Sequence, residues 1–494
     1  MGNGTPEQVH LTWGDDPATS VVVSWGSPGR ALRPRVRIGQ RVILAREQAY
    51  RDAATGKAAW ACHARVPGLR PGARYAYAVT ADNDANAADP FTSTFRTAPT
   101  GRAAFRFTCS GDLPMPDSAA AVASAGHAAG AVESFQPLFH LMNAGLCGTA
   151  RGTWREFGNA SQLSAASRPW MPVPGNADRD GAGLDPYLAR YELPPDASAG
   201  TAGRWYSFRV GTVVVACLDS GDVVRDDAGG PGMQTAWLER TLARARADPG
   251  VDWIIVQAHH PACSSWAPGS YLEVRSEWLP LFDRYQVDLV LAGHASGYDR
   301  SFPCRGTDQP GTQRPRAVTQ SDAQVIDTSL GTVHLTLGRE NLAGRGIIAG
   351  HGVVPGQRAI PEQAAGSACV VGASWPAGEA GGEPLTESAA WSARRDSPGG
   401  YGIAVFDVDP GGQDGELTSM SVTTYRAADP GAASPSHGET VALADDLTAI
   451  ERFTLVRPRS GGSRGPGRAQ GSADGPLSMA RLPSASFSVS FSAR

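Results

Sequence analysis

Lysine is nearly absent: Lys57 is the only one among 44 basic residues. With 59 Gly, 37 Pro and abundant Ala, that bias reads as genome composition rather than function. A strong charge excess is also missing. The formal net charge of −4 gives no reason to expect nucleic acid or an anionic membrane as partner. No apolar run reaches the roughly 18 residues that a bilayer span requires. The opening "MGNGTPEQ" lacks the basic and apolar regions of a signal peptide. Seven cysteines are present, but no C-x-x-C pair, which argues against a zinc knuckle. Their odd number leaves at least one thiol unpaired. Cys263 and Cys304 each follow a strand-end histidine segment, so they are candidate neighbours. A disulfide between them would indicate an oxidising compartment.

What is present suits a large soluble protein. A chain of 494 residues exceeds one core, so two or three domains are expected. Hydrophobic content of 41% and charged content of 19% are ordinary for globular chains. From about residue 5 to 98, "VHLTWG", "SVVVSWGS" and "RVRIG" carry β-branched residues at period two, broken by Asp, Gly and Pro. In "VPGLRPGARYAYAV", Leu69, Pro71-Gly72 and Tyr75 resemble the tyrosine corner of fibronectin-type and immunoglobulin-type sandwiches. Residues 1–98 are therefore expected to form a fibronectin III-like β-sandwich, with "FRTAPTGRA" as its exit linker.

The pattern changes at Phe105. "FRFTCSGD", "PLFHLMNAG", "TVVVACLD", "VDWIIVQAHH", "VDLVLAGH", "GTVHLTLG" and "YGIAVFDV" read as strands. Between them lie an Ala-rich helical stretch and "MQTAWLERTLARARAD", with apolar residues at helical spacing. Strands alternating with helices predict an α/β core over 103–456, with its ligand site beyond the strand ends. Residues 457–494 are Gly, Ser, Pro and Arg, and are expected to be a disordered tail.

Four positions stand at such strand ends or in a Pro-Gly loop: Asp112, Gly175-Asn176, His259 and Gly293-His294. Singly each is weak. A buried histidine is more often a satisfied core residue than a ligand, and an aspartate after a strand is more often a helix cap. Their succession in one α/β pattern is stronger.

At these residues the sequence resembles the purple acid phosphatases within the metallophosphoesterases, and most nearly their actinobacterial secreted members. The resemblance runs from "PEQVHLTWGDDPATSVVVSW" through "GD", "RPWMPVPGN", "WYSFRVG", "DWIIVQAHH" and "LFDRYQVDLVLAGH" to "GYGIAVFDVDP". It implies a metallophosphoesterase αββα sandwich after the first domain, a phosphate ester or other small anion as partner, and secretion. With no leader visible, a cytoplasmic location stays open. It also implies a dinuclear centre of iron beside zinc, iron or manganese. Carried over residue by residue, Asp112 matches an iron-site aspartate, Asn176 the asparagine of the second metal, and His259 and His294 its two histidines. The family's metal-bridging aspartate and iron-binding tyrosine fall on Gly145 and Gly148 of "NAGLCGTA". The histidine that contacts phosphate falls on Ala177, its neighbouring glutamate on Asp178, and an iron-binding histidine on Ser296. A glycine of a late loop becomes Arg339, next to Glu340.

Ferric iron needs hard anionic ligands, and of the two aspartates and tyrosinate only Asp112 remains. A dinuclear iron centre is therefore not expected, and at most one zinc or manganese ion is, on Asn176, His259 and His294. Without the bridging carboxylate, two metals about 3.5–4 Å apart lose their clamp. The four losses are to Gly, Gly, Ala and Ser, which leave space, whereas a site rebuilt as apolar core would gain large side chains. Three readings follow: a pseudoenzyme whose cleft attracts anions through Arg339, Arg179 or a residual metal; a phosphomonoesterase with one metal; and a surface or polysaccharide binder acting through its sandwich. Arg339 is further expected to pair with Asp112 or Asp178 in the vacated space.

Overall fold

The computed structural model describes residues 3–460 apart from 53–55, 87, 113–118, 144–153, 180–182, 196–200, 226–231, 267–268, 296, 309–311, 322, 339–347, 350–351, 354–367, 372–384, 397–400, 412–414 and 428–446. The expected disordered tail from 461 onward lies outside the described residues.

The N-terminal part pairs two four-stranded antiparallel sheets. One runs in the order Glu7–Thr12, Val21–Ser27, Ala58–Val66, Arg46–Arg51. The other runs Arg41–Leu44, Arg35–Ile38, Arg74–Thr80, Phe91–Arg96. Period-two placement sends Val21, Val23 and Trp25 into one core with Val36, Val79 and Phe95. The Tyr75 hydroxyl accepts the Arg70 N–H at 2.7 Å, the backbone contact that a tyrosine corner requires.

This β domain docks through its own edge. At a bulge between Glu7 and His10, Gln8 takes a positive φ of 58°. The N–H groups of Gln8 and Val9 then donate to Asn159 Oδ1 at 3.1 Å and Gln162 Oε1 at 2.7 Å. Those acceptors stand three residues apart on one face of the helix Trp154–Ala165. An otherwise open strand edge is thereby covered.

The rest is an αββα sandwich. One seven-stranded sheet runs Trp170–Pro172, Phe139–Met142, Phe105–Ser110, Tyr401–Asp409, Leu417–Ala427, Leu447–Pro458, Val325–Asp327. The other runs Tyr206–Val210, Val213–Leu218, Trp253–Ala258, Leu289–Ala292, Val333–Thr336, Tyr298–Ser301, Ser392–Asp396. Val213, Val215 and Cys217 face Phe107 and Leu141 of the first sheet in the inter-sheet core. Their alternates Val214, Ala216 and Leu218 meet Trp237, Leu238 and Trp278 of the helices Met233–Ala247 and Leu272–Arg284. Strands buried on both faces read as continuous apolar runs, which is why these were legible.

Two expectations need correction. The tail begins later than Arg457, because the last strand continues to Pro458. Arg457 lies inside, its guanidinium 2.5 Å from Asp288, which has no exposed surface. A buried carboxylate must be paired, and Arg457, Arg246 and the Thr328 hydroxyl satisfy it. The possible bridge between Cys263 and Cys304 is not formed: both are buried thiols. Burial pushes the Cys304 thiol up to about 12. No helix among the described residues is long and apolar enough to cross a membrane.

Candidate metal centre

The parallel strands of both sheets deliver their C-terminal ends to one place. From the first sheet come Asp112 after Phe105–Ser110, Asn143 after Phe139–Met142, and Gly175-Asn176 after Trp170–Pro172. From the second come Asp219-Ser220 after Val213–Leu218, His259-His260 after Trp253–Ala258, and Gly293-His294 after Leu289–Ala292. Crevices beyond the carboxyl ends of such strands are where open α/β sheets bind ligands.

Three imidazoles meet there. Ring centroids lie 4.7 Å apart for His259 and His294, and 4.9 Å from His260 to each. One nitrogen from each falls within 4.8 Å of the others. His259 Nδ1 faces the Asn143 carbonyl at 3.2 Å. A carbonyl only accepts, so Nδ1 carries the proton and Nε2 presents a lone pair. That Nε2 is buried and has no hydrogen-bond partner among the described residues.

Asp112 is held between the two sheets. Its Oδ1 accepts the His294 N–H at 3.1 Å and lies 3.4 Å from His259 Nδ1. A Cβ at Gly293 would come within 2.7 Å of both that Oδ1 and the Asn143 carbonyl, so only glycine lets the loop approach this closely. The next residue, His294, takes a positive φ of 61°, and Ala295 N–H closes a tight turn onto the Gly293 carbonyl at 2.8 Å. Non-glycine residues held in this region cost about 1–3 kcal/mol and cluster at functional sites. The strain aims His294 at the other two rings.

Beside the histidines lies a charged network. Arg179, three residues after Asn176, pairs with fully buried Asp219. A Cβ at Gly221 would meet the Arg179 guanidinium at 2.3 Å, so glycine admits this arginine. Gln234 donates to the Asp219 carbonyl at 2.9 Å and to Asp222 at 3.1 Å. Burial, and then the charge of Asp219, raise the Asp222 carboxyl to about 6. Ser220 Oγ lies 2.8 Å from His260 Nδ1 and accepts the His260 backbone N–H at 2.9 Å.

Of the residues expected from sequence, Asp112, His259 and His294 are brought into direct contact. Asn176 lies in the adjoining turn, its Oδ1 buried with no hydrogen-bond partner among the described residues. The Arg179–Asp219 pair joins that turn to the segment carrying Ser220. Asp178 is buried and accepts the Gly175 N–H at 2.8 Å. Gly145, Gly148, Ser296, Arg339 and Glu340 lie outside the described residues, and with them the expected Arg339 contact. Sequence reasoning missed Asn143, Ser220 and His260. The doublet His259-His260 before Pro261 is visible in the sequence, but nothing local says where a residue beyond the strand end points. The strand ends at Ala258, and beyond it both rings turn to the same cluster.

The donors fit a divalent cation. His259 Nε2 and Asn176 Oδ1 are buried lone-pair groups that the described protein leaves unmatched, and unmatched buried polar atoms are costly. Ring nitrogens, an amide oxygen and one carboxylate are donors that first-row divalent cations accept.

A family model described as "Purple acid Phosphatase, N-terminal domain" matches residues 6–97, and one described as "Calcineurin-like phosphoesterase" matches residues 148–297. An uncharacterised protein of Mycobacterium tuberculosis is 35% identical over 493 residues, spanning 92% of this chain and 87% of its own. A purple acid phosphatase of Glycine max is 31% identical over 158 residues, 30% of this chain and 33% of its own. The solved purple acid phosphatase from yellow lupin (Lupinus luteus) seeds aligns with a TM-score of 0.58 at 14% identity, covering 92% of this chain and 75% of that one, a likeness of fold.

Proposed function

The chain belongs to the purple acid phosphatase family of calcineurin-like phosphoesterases, and from that premise we propose a pseudoenzyme or very weak phosphatase that retains one divalent metal site. The ligands are Asn176, His259 and His294, with Asp112 beside them. The observation that carries this reading is the buried Nε2 of His259, without a hydrogen-bond partner among the described residues, in a chain with glycine at 145 and 148. One half of the donor set is kept and the other is deleted.

A bound zinc or manganese ion would supply Lewis acidity and lower the pKa of a coordinated water. The residues themselves hold and orient. Asn143 fixes the His259 tautomer, and Asp112 pins the strained His294 turn. Neither Gly145 nor Ala177 can replace the bridging carboxylate or phosphate-contacting imidazole that the family resemblance places there. Removing charge-stabilising groups of this kind costs about 10²-fold or more each.

A slow phosphomonoesterase working with one metal is the second reading, favoured by the same His259 nitrogen, since protein ligands plus an open position suit a catalytic zinc. Phosphate release from a chromogenic aryl phosphate, with zinc, manganese or iron added, separates the two. Elemental analysis should find no more than one metal per chain. Two metals per chain with rapid turnover would overturn both readings.

A further inference from the structure

The family resemblance assigns His259 and His294 to a metal and leaves His260 without a role. The structure places its ring against both of the others, at 4.9 Å from each. Packing alone does not explain that. Three imidazoles in mutual contact bury polar nitrogens that an apolar core would not contain. Two further contacts prepare His260 as a donor. Its Nδ1 lies 2.8 Å from Ser220 Oγ, and in the tautomer with Nδ1–H donating to that oxygen the ring's lone pair is on Nε2. The Tyr271 ring packs on His260 at 4.5 Å and on His294 at 5.6 Å, fixing both ring planes from one side.

We infer that His259, His260 and His294 form a three-imidazole site for a late first-row divalent cation such as zinc, with Ser220 as the outer partner that orients His260. This deepens the single-metal reading and rests on it. The ring nitrogens now lie within 4.8 Å of one another. A tetrahedral zinc with Zn–N near 2.0–2.1 Å needs them about 3.3 Å apart, so binding would draw the three nitrogens together. The chemistry then shifts from the mixed oxygen set of the family to an all-nitrogen one. Nitrogen donors favour zinc, cobalt and nickel over manganese and magnesium, which prefer carboxylate and water. Asn176 becomes an auxiliary oxygen donor rather than the required third ligand.

The test uses the full chain, stripped with chelator and titrated with zinc, cobalt or manganese. X-ray absorption of the zinc-loaded parent should count three imidazole ligands, and cobalt should give the intense visible bands of four-coordination. His260→Ala should weaken zinc binding by more than the about 10–100-fold expected of Ser220→Ala, an outer-partner change. Asn176→Ala should weaken it less than His260→Ala, and manganese should bind the parent more weakly than zinc. One zinc per chain with only two imidazoles, or an affinity unchanged in His260→Ala, overturns the three-imidazole site while leaving the single-metal reading intact. A parent that takes up no metal overturns both. The ligand count on the parent decides the matter even if His260→Ala does not fold.

Discussion

Buried histidines in two regions of this protein differ in one respect. Along the sandwich and the first sheet, both ring nitrogens are matched. The Ser24 hydroxyl donates to His63 Nδ1 at 2.9 Å, and His63 Nε2–H donates to the Ala189 carbonyl at 2.9 Å. His140 sits between the Thr108 and Ser110 hydroxyls at 2.9 and 3.1 Å. At the strand-end cluster, His259 has its Nδ1 matched, while its Nε2 has no hydrogen-bond partner among the described residues. All three rings are buried, so burial cannot separate a structural histidine from a ligand. The second nitrogen separates these three only together with place: His334 Nδ1, on the strand Val333–Thr336, is also buried with no hydrogen-bond partner among the described residues, but only at the strand-end cluster do three imidazoles converge. A matched pair contributes to the fold, and a bare lone pair is a cost that a bound cation would offset.

The largest effect should come from completing the bare region. Gly145→Asp, Gly148→Tyr, Ala177→His and Ser296→His together return the family's donors to the strand-end crevice. Phosphatase activity and metal content should both rise, the rate by several orders of magnitude, at about 10²-fold or more per restored function. A parent already as fast as this variant would remove the case for a pseudoenzyme.

Acid should break the matched region next. Burial lowers His63 to about 4 and His140 to about 3 from an ordinary 6.5, so both are neutral in the fold. The sign follows from linkage. Their contribution is complete above pH 6.5 and is lost as pH falls towards the folded values, because the unfolded chain binds protons first. At pH 5 each costs about 2 kcal/mol, or about 4 kcal/mol for the pair. Urea unfolding at pH 7 and pH 5 measures it, and equal stability at the two would contradict the neutral assignment.

Alanine scanning compares the regions directly at neutral pH. His140→Ala leaves a cavity and two buried hydroxyls without their partner, at about 3 kcal/mol. His259→Ala also leaves a cavity and loses one hydrogen bond but removes a bare nitrogen, so metal-free stability should fall by less, about 2 kcal/mol. The ranking should reverse in zinc, where His259→Ala alone forfeits the ligand-linked gain in Tm. Equal metal-free losses would mean that His259 is a core residue like His140.

Much of this arrangement was legible in the sequence. Runs such as "VVVACL" and "WIIVQA" announce strands covered on both faces, and the order Asp112, Asn176, His259, His294 fixes which ends face the crevice. What was not legible depends on long-range partners. Arg457 looks like the start of a polar tail until Asp288, 169 positions away, is found to need it. His63 and His140 carry no local mark of being matched, since their partners are hydroxyls on neighbouring strands or a distant carbonyl. His260 was hidden because period-two alternation holds only inside a strand, and Ala258 is its last residue.

Asp222 lies between the two cases and supplies the smallest test. One of its oxygens accepts from Gln234 at 3.1 Å, and the other is buried with no hydrogen-bond partner among the described residues. Burial and the neighbouring Asp219 charge raise its carboxyl to about 6 from 3.8. A raised acid has the opposite sign to the lowered histidines: the fold binds its proton more tightly, so stability declines as pH rises from about 4 through 6. The full shift would correspond to about 3 kcal/mol, and partial solvent screening brings that to about 1 kcal/mol. Asp222→Asn keeps an acceptor for Gln234 and removes the charge that Asp219 opposes. It should therefore gain about 1 kcal/mol at pH 7.5 and nothing at pH 4.5. Urea midpoints of parent and variant at the two pH values give the difference. A gain that persisted at pH 4.5 would show packing at work, and a loss at pH 7.5 would show that Asp222 is a matched group after all.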